Sequence, residues 1–493
     1  MPQRYLIVAV TAVAALWMYI DRVCFSTLAE PMKRELLLPL APEPGADAKP
    51  LTDDEVTGAK KLRPEGADPG APLTDAETAA ALKKRWADGR MSYALGAFFL
   101  TYALFQIPMG NLADRYGARR VLALSIAAWS AVTMATGFVG GPLALLGIRL
   151  LLGVTEAGAY PAAAGLVKRW ARPTERGRFS SIVAFGGRVG GAVAPWLTAA
   201  LAGALVGVGL VEWAVTPQAA PPAPGEKAAN WRGVFAVYGL CGLAVAGLFW
   251  LVVRDHPPAA PSPSPGGEAP PPPSAARGEG QARGSAVSLW RRIGLLARTP
   301  NMWLFGAVQF GVNVGWALLI TLLPTYLKET FNVPLKEVGR MQAAALTIGC
   351  LGMLFGGAFT DWLRGKLGPK YGRSVPIAAA LSGCVVVFLV VPHLPNAWAV
   401  VVALGLMAFL VDMHNPSIWS FAQDVGGKSV GAALGWGNMW GNLGAALSPV
   451  LLTEVRHAAG WNAAFGCCAL AFGCATACAL MLDATRPVKG AEE

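Results

Sequence analysis

The stretch Gly187-Arg-Val-Gly-Gly-Ala-Val-Ala-Pro195 recurs as Gly441-Asn-Leu-Gly-Ala-Ala-Leu-Ser-Pro449, 254 residues further on. Two other pairs keep nearly that spacing: Gly110 and Asp114 with Gly357 and Asp361, and Pro161 with Pro416. Around these markers lie apolar segments of about 20 residues, the length that crosses a bilayer as a helix. They fall at 5–28, 91–112, 119–139, 142–167, 178–207, 231–253, 302–327, 340–362, 374–394, 397–421, 429–452 and 461–482. A backbone in hydrocarbon must satisfy its own hydrogen bonds, so these runs read as helices. The markers put helices 2, 4 and 5 in register with helices 8, 10 and 11. Six helices separate each pair, which makes the repeat parallel. The predicted fold class is an all-α membrane protein with 12 transmembrane helices in two six-helix bundles, 1–253 and 300–493.

Composition agrees. Of 493 residues, 54% are hydrophobic and 14% charged, against roughly 25% charged in a soluble domain. Lipid must be the solvent for much of this surface. That excludes a nucleic-acid-binding protein, a secreted disulfide scaffold and a disordered chain. The net charge of +11 has a membrane explanation. Arg115, Arg119 and Arg120 follow helix 2; Lys168, Arg169, Arg172, Arg176 and Arg178 follow helix 4; Arg364, Lys366, Lys370 and Arg373 follow helix 8. The turns after helices 3 and 9 carry no Lys or Arg. The positive-inside rule makes the even-numbered loops and both termini cytoplasmic, in the cell (inner) membrane. The opening run from Arg4 to Met18 imitates a secretory signal, but it continues through Asp21-Arg22 into a longer helix.

Two segments lie outside the membrane. Residues 254–299, with stretches such as Pro261-Ser-Pro-Ser-Pro-Gly-Gly267, read as a flexible cytoplasmic linker between the bundles. Residues 37–89 form a polar insert on the opposite side. It contains a duplication, Pro50-Leu-Thr-Asp-Asp-Glu55 and Pro72-Leu-Thr-Asp-Ala-Glu77. Thr52/Glu55 and Thr74/Glu77 have capping-box spacing, so each is expected to open a small helix. The insert reads as a solvated decoration or as a cap that engages a partner or substrate. The eight cysteines form no CxxC pair and read as packing residues. No cofactor and no metal site is predicted. The chain has no HExxH, nucleophile elbow or P-loop, so neither an enzyme nor direct drive by ATP is expected.

Charges near helix centres cost about 2.5–3.5 kcal/mol each on insertion scales. Six residues stand there: Asp21, Arg22, Arg149, Glu156, Arg188 and Asp412. They must face the bundle interior, paired or wetted. Arg149 and Glu156 are two turns apart, about 10 Å along the axis, and can face one cavity. The repeat places no charge opposite them: Arg188 aligns with Asn442, and Glu156 falls beside Val411. The fold alone therefore does not require these charges. Arg22, Arg149 and Arg188 are candidates for an anion site, because guanidinium stays charged and grips carboxylate bidentately. Asp21 and Glu156 are candidates for proton uptake. Three arginines and three acids sum to zero, so an incoming monoanion leaves a negative charge that one proton balances. The competing reading is a set of structural ion pairs joining helices 1, 4 and 5. Asp412 and His414 are candidates for a further proton site, or a polar cluster before Pro416. Tyr19, Asn438 and Asn442 are candidate substrate donors, the two asparagines sharing a face of helix 11, or else packing residues.

The loop Gly110-Asn-Leu-Ala-Asp114-Arg115-Tyr-Gly117-Ala-Arg119-Arg120 resembles the loop signature of the major facilitator superfamily, with a degenerate second copy around Gly357 and Asp361. Tyr19-Ile-Asp21-Arg22, Arg149-Leu-Leu-Leu-Gly-Val-Thr-Glu156, Glu175-Arg176-Gly177, Asn230-Trp-Arg232 and Asp424-Val-Gly-Gly427 resemble its anion:cation symporter branch. That branch includes bacterial sugar-acid transporters and vesicular glutamate and sialic acid carriers. The branch's mid-helix-7 aromatic corresponds to Trp316 or is replaced by Ala317. The resemblance implies a monomeric secondary transporter that carries a small organic anion with protons by alternating access. It also implies that Gly110, Asp114, Arg115, Arg119, Arg120 and Asp361 form a cytoplasmic gate between the halves. A uniporter, an exchanger, an efflux antiporter and a ligand sensor of the same fold are the alternatives.

Overall fold

A computed structural model of the chain describes residues 3–44, 50–51, 53–60, 68, 71–206, 230–257 and 288–488. Among them there are helices and no strands. In chain order these are α1 (Gln3–Thr27), α2 (Ala29–Leu36), α3 (Asp53–Lys60), α4 (Asp75–Tyr116), α5 (Ala118–Thr136), α6 (Pro142–Glu156), α7 (Ala159–Trp170) and α8 (Arg176–Ala204). The series continues with α9 (Trp231–Val252), α10 (Leu289–Ala297), α11 (Pro300–Ala317), α12 (Leu323–Phe331), α13 (Leu335–Val390), α14 (Ala397–Val425) and α15 (Val430–Met481).

Nine helical runs among the described residues are long and apolar enough to cross a membrane. Two of them fold back on themselves. α13 breaks at Gly368 (φ 76°) and α15 at Gly460 (φ 79°), a backbone region that glycine enters without Cβ strain. With the 19-residue α5 between its neighbours, the chain makes the twelve spans. The fourth span is interrupted. Its helix lapses over Ala157 and Gly158, directly after Glu156, and resumes as α7. The seventh span contains a π-helical turn, Leu318–Leu322, between α11 and α12. The Gln342 amide donates to the carbonyls of Leu319 and Ile320 in that turn, at 3.1 and 2.8 Å.

The polar insert differs from expectation at its end. The Thr74/Glu77 capping box is present, with Glu77 N donating to Thr74 Oγ1 at 3.2 Å and Thr74 N to Glu77 Oε2 at 2.7 Å. The helix it opens is not small: α4 runs 42 residues without interruption into the second span. Ala79-Ala-Ala-Leu82 is made of strong helix formers and no proline follows before Pro108, so the helix nucleated at Thr74 propagates. Thr52 lies outside the described residues. The insert is tied down by ion pairs. Glu55 accepts from Arg85 at 2.7 Å, and Lys33 holds both Glu30 and Asp88. Burial opposes the Lys33 charge, yet the two carboxylates keep its pKa above the ordinary lysine value. Glu35 of α2 accepts from Arg232 Nε (2.9 Å) and the Trp231 indole (2.6 Å), while Arg232 also donates to Gly137 O at 2.8 Å. The Asn230-Trp-Arg232 motif is thus a staple: Asn230 caps α9 and its two successors fasten α2. Within the expected linker, residues 258–287 lie outside the described ones, and α10 opens on a Ser288 cap.

The halves meet through two helix pairs related by the repeat, α4 against α15 and α8 against α13. Glycines permit the approach. A Cβ on Gly110 would sit 2.8 Å from Ala432 N, and one on Gly357 would sit 3.0 Å from Gly177 O.

Candidate functional site

A cavity of about 190 Å³ lies between the halves at mid-depth. This is below the roughly 300–1,000 Å³ of drug-sized ligand pockets. The N-terminal half lines it with Tyr19, Arg22, Tyr102, Tyr160 and Arg188. The C-terminal half contributes Gln309, Asn313, Trp316, His414, Asn415, Trp419, Asn438 and Asn442. Among the described residues, two cations face it and no Asp or Glu lines it.

The acids stand behind the arginines. Arg22 donates Nε and Nη2 to one oxygen of Glu156, at 3.1 and 2.7 Å, and its guanidinium lies 4.5 Å from the Tyr102 ring centre and 5.1 Å from that of Tyr19. Glu156 is fully buried at the end of α6, where the lapse in the fourth span places it against α1. Arg188 of α8 pairs through Nη2 with Asp412 of α14, and its guanidinium stacks 4.4 Å from Trp316. The charges thus form one pair within the N-terminal half and one across the halves.

Arg149 and Asp21 do not reach the cavity. Arg149 is 2% exposed and sandwiched over Phe25 (4.0 Å) and Phe98 (4.7 Å). The sequence reading that faces Arg149 and Glu156 into one cavity is corrected: neither is among its lining residues, because bulky rings and the Arg22 side chain intervene. Neither carboxylate oxygen of Asp21 has a hydrogen-bond partner among the described residues, and the nearby Trp129 indole N–H is also unpartnered. His414 contacts Val411 O through Nδ1, while its Nε2 is buried without a hydrogen-bond partner among the described residues.

Asn438 and Asn442 share a face and line the cavity. Asn442 Nδ2 donates to Asn438 O at 2.8 Å, and Asn438 Nδ2 reaches Gln106 Oε1 at 3.4 Å. On α11, Asn313 Nδ2 donates to Gln309 O at 2.8 Å in the same arrangement. Gln309, Asn313 and Asn415 were missed from sequence. For Gln309 and Asn313 the signal was there: amides spaced i, i+4 in an apolar run, as at Asn438 and Asn442; Asn415 has no amide four residues away. Tyr102 and Trp419 carried no signal beyond being aromatic, while Tyr160 lies in the helix-4 stretch Arg149–Pro161 that carries the family resemblance.

From the cavity towards the basic face the halves are locked together. Asp114 Oδ1 and Oδ2 accept from the backbone N–H groups of Gly431 (2.9 Å) and Ala432 (3.0 Å), the first turn of α15. Asp361 does the same to Gly177 and Arg178 at the start of α8, both at 2.9 Å. Each half therefore caps a helix of the other, where free N–H groups and the helix dipole favour a carboxylate. Buried Arg373 bridges Asp424 (2.9 Å) and the Pro173 carbonyl of the opposite half (3.1 Å). Arg176 also pairs with Asp424, and Lys168 donates to Gly427 O. Of the sequence candidates, Gly110, Asp114 and Asp361 make this interface. Arg119 instead donates its backbone N–H to Asp255 at 3.0 Å, within its own half. Arg115 and Arg120 are exposed, and Arg115 lies over Tyr116. Arg292 of α10 approaches Asp114 at 3.4 Å, a contact that nothing in the sequence pattern signalled.

Two repeated six-helix bundles around a polar midplane cavity define a membrane-transport fold. The profile of the Major Facilitator Superfamily matches residues 11–449, and the chain belongs to that family. It is 27% identical over 365 residues to the probable sulfoacetate transporter SauU of Cupriavidus necator, covering 73% of this chain and 77% of that protein. It is 28% identical over 399 residues to the probable galactarate/D-glucarate transporter GarP of Escherichia coli, covering 77% and 83%. Among solved structures, the E. coli fucose:proton symporter FucP superposes with TM-score 0.64 at 13% identity, covering 98% of this chain and 100% of that one. The human organic anion transporter MFSD10 gives 0.61 at 18% identity, covering 97% and 100%. At these identities the structural likeness is one of fold.

Proposed function

We propose that the protein is a secondary active transporter that carries a small organic anion, a sugar acid or another carboxylate, together with protons by alternating access. The observation that carries this reading is the cavity lined by Arg22 and Arg188 and by no acid, with Glu156 and Asp412 held directly behind. A carboxylate arriving at Arg22 competes with Glu156 for the same guanidinium. Taking up a proton lets Glu156 release Arg22, so anion and proton enter together. Asp21 is the second proton carrier in this scheme, and Asp412 with His414 a further one. Arg149 holds the local field from behind the site. Tyr19, Asn438 and Asn442 orient the polar part of the substrate. Relatives named for sulfoacetate and for galactarate or glucarate support an acidic substrate.

The basic face is cytoplasmic in this reading, in the cell membrane, with both termini inside. The two bundles, 1–253 and 300–493, rock about the cavity in a monomer, joined by the cytoplasmic segment 254–299. The Asp114 and Asp361 caps are the gate that closes that face. A thermal-shift panel of carboxylates, sugar acids and phosphates on purified protein tests the ligand class, since a ligand of the folded state raises its apparent stability. Uptake of the selected anion into proteoliposomes then tests coupling. Accumulation is expected with an inward proton gradient and is expected to vanish with a protonophore. Accumulation indifferent to the protonophore overturns proton symport.

A further inference from the structure

The two cavity arginines are built as separate grips. Arg22 uses Nε and Nη2 on Glu156, which leaves Nη1 without a described hydrogen bond. Arg188 uses Nη2 on Asp412, which leaves Nε and Nη1. Each guanidinium rests on its own ring, Tyr102 for one and Trp316 for the other, and each is steered by its own buried acid on a different helix. A single carboxylate seated at Arg22 therefore leaves Arg188 still occupied by Asp412 and its free N–H groups still facing the cavity. The remaining polar lining is amide, notably Asn313, Asn438 and Asn442, with three tyrosines and His414 and, among the described residues, no further Lys or Arg, which suits hydroxyls rather than a third anionic group.

We infer that the cavity selects an anion with two acidic groups joined by a short polar chain, one group held by Arg22 and the other by Arg188. Asp412 is the internal counter-ion that the second group displaces from Arg188. The inference rests on the proposed carriage of an organic anion and narrows its class. It also gives Asp412 a role that the repeat does not: as the only acid described that reaches a cavity arginine from the C-terminal half, it makes recognition of the second group an event between the halves. A substrate that takes Arg188 removes the Arg188–Asp412 tie across the cavity.

The test is calorimetric titration of the purified full chain with matched pairs of anions. Galactarate against galactonate, and glutarate against 5-hydroxypentanoate, differ only in whether the second terminus is a carboxylate or a hydroxymethyl group. The expected result is a diacid preference of about tenfold or more in the pair that binds, the scale of one well-made charge-assisted contact. Arg188→Gln is expected to bring that ratio close to one, and Arg188→Lys, which keeps the cation, to retain most of it. A monoacid that binds as tightly as its diacid overturns the inference and leaves the proposed function standing. So does a ratio that survives in Arg188→Gln. If no anion of either pair binds while other carboxylates of the broader panel stabilise the protein, the inference fails alone. If none of the panel does, the organic-anion reading fails with it.

Discussion

Replacing Asp114 by Asn tests the crossed-cap gate at one atom. In the native chain, each carboxylate oxygen accepts one backbone N–H from the first turn of α15, at 2.9 and 3.0 Å. The Asp114 side chain is only 5% exposed, so solvent screens these bonds little. A hydrogen bond to a charged group contributes about 1.5–3 kcal/mol. Asparagine keeps one acceptor and turns an NH2 towards the other N–H, so one bond is lost. The charge–dipole attraction, about 0.3–1 kcal/mol, goes with it. The shut state should lose about 2–4 kcal/mol, a shift of roughly 30- to 700-fold in the ratio of shut to open. Nitroxides at Tyr116 and Leu367, which are 50% and 45% exposed on opposite halves of the basic face, report the opening by pulsed EPR in a background with the native cysteines replaced. A longer-distance population should grow in the variant. Asp361→Asn, which uncaps α8, should do the same. Distance distributions that coincide with wild type in both folded variants refute the claim that these caps hold the face shut.

Gly110→Val places a branched side chain where even a Cβ would sit 2.8 Å from Ala432 N. Overpacking of about 1–3 kcal/mol should open the same EPR pair without touching any charge. Glu156→Gln cannot exchange a proton, so uptake into proteoliposomes should reach equilibration but not accumulation under a proton gradient, while counterflow of pre-loaded anion persists. Proton-driven accumulation that survives unchanged removes Glu156 from the coupling. Glu35→Ala strands Arg232, which is 3% exposed, and the Trp231 indole. Breaking a buried pair from one side costs about 3–5 kcal/mol, so the melting temperature should fall clearly, and an unchanged one refutes the staple role of Asn230-Trp-Arg232.

The spans were legible because hydrocarbon imposes a length and a polarity on each, and the long-range repeat ordered them. What polarity could not reveal was continuity. The second span extends back to Asp75 because nothing after the Thr74 cap interrupts it, and the fourth lapses at Ala157–Gly158, where Pro161, four residues on, cannot donate to the Ala157 carbonyl and crowds it. At the site, the cost of a buried charge pointed to Arg22, Glu156, Arg188 and Asp412, which form two pairs at the cavity wall. The same argument pointed equally to Arg149 and Asp21, which sit behind that wall. Cost says that a charge must be sheltered; it does not say whether a cavity or a pair of phenylalanines shelters it. The pairing of Arg188 with Asp412 was out of reach for another reason. The two lie 224 positions apart, and the repeat aligns neither with the other.

That misalignment separates two kinds of residue. The Gly-Asp pairs that the repeat duplicates lie on the basic face and act in exchange: Asp114 caps α15, Asp361 caps α8, and Gly110 and Gly357 let the helix pairs close. A gate made of two equal, crossed latches opens and shuts as a unit, because a rotation that strains one strains the other. At the cavity the same repeat sets unlike residues opposite each other. Arg188 faces it from one half, and its repeat counterpart Asn442 faces it from the other. A symmetric pair of arginines would repel across the midplane and hold the halves apart. Arginine opposite amide avoids that, and Asp412 adds attraction. Under the proposed function, the symmetry would supply the motion, and its local breaking both a site for an anion and a tie between the halves for the anion to undo. On that argument, Asn442→Arg should restore the symmetry at the expense of the tie. The EPR pair across the basic face should change little, since its caps are intact. Labels on α8 and on the first arm of α15, beyond the cavity from the basic face, should move apart. Halves that stay together at the cavity in Asn442→Arg would show that charge asymmetry is not what joins them there.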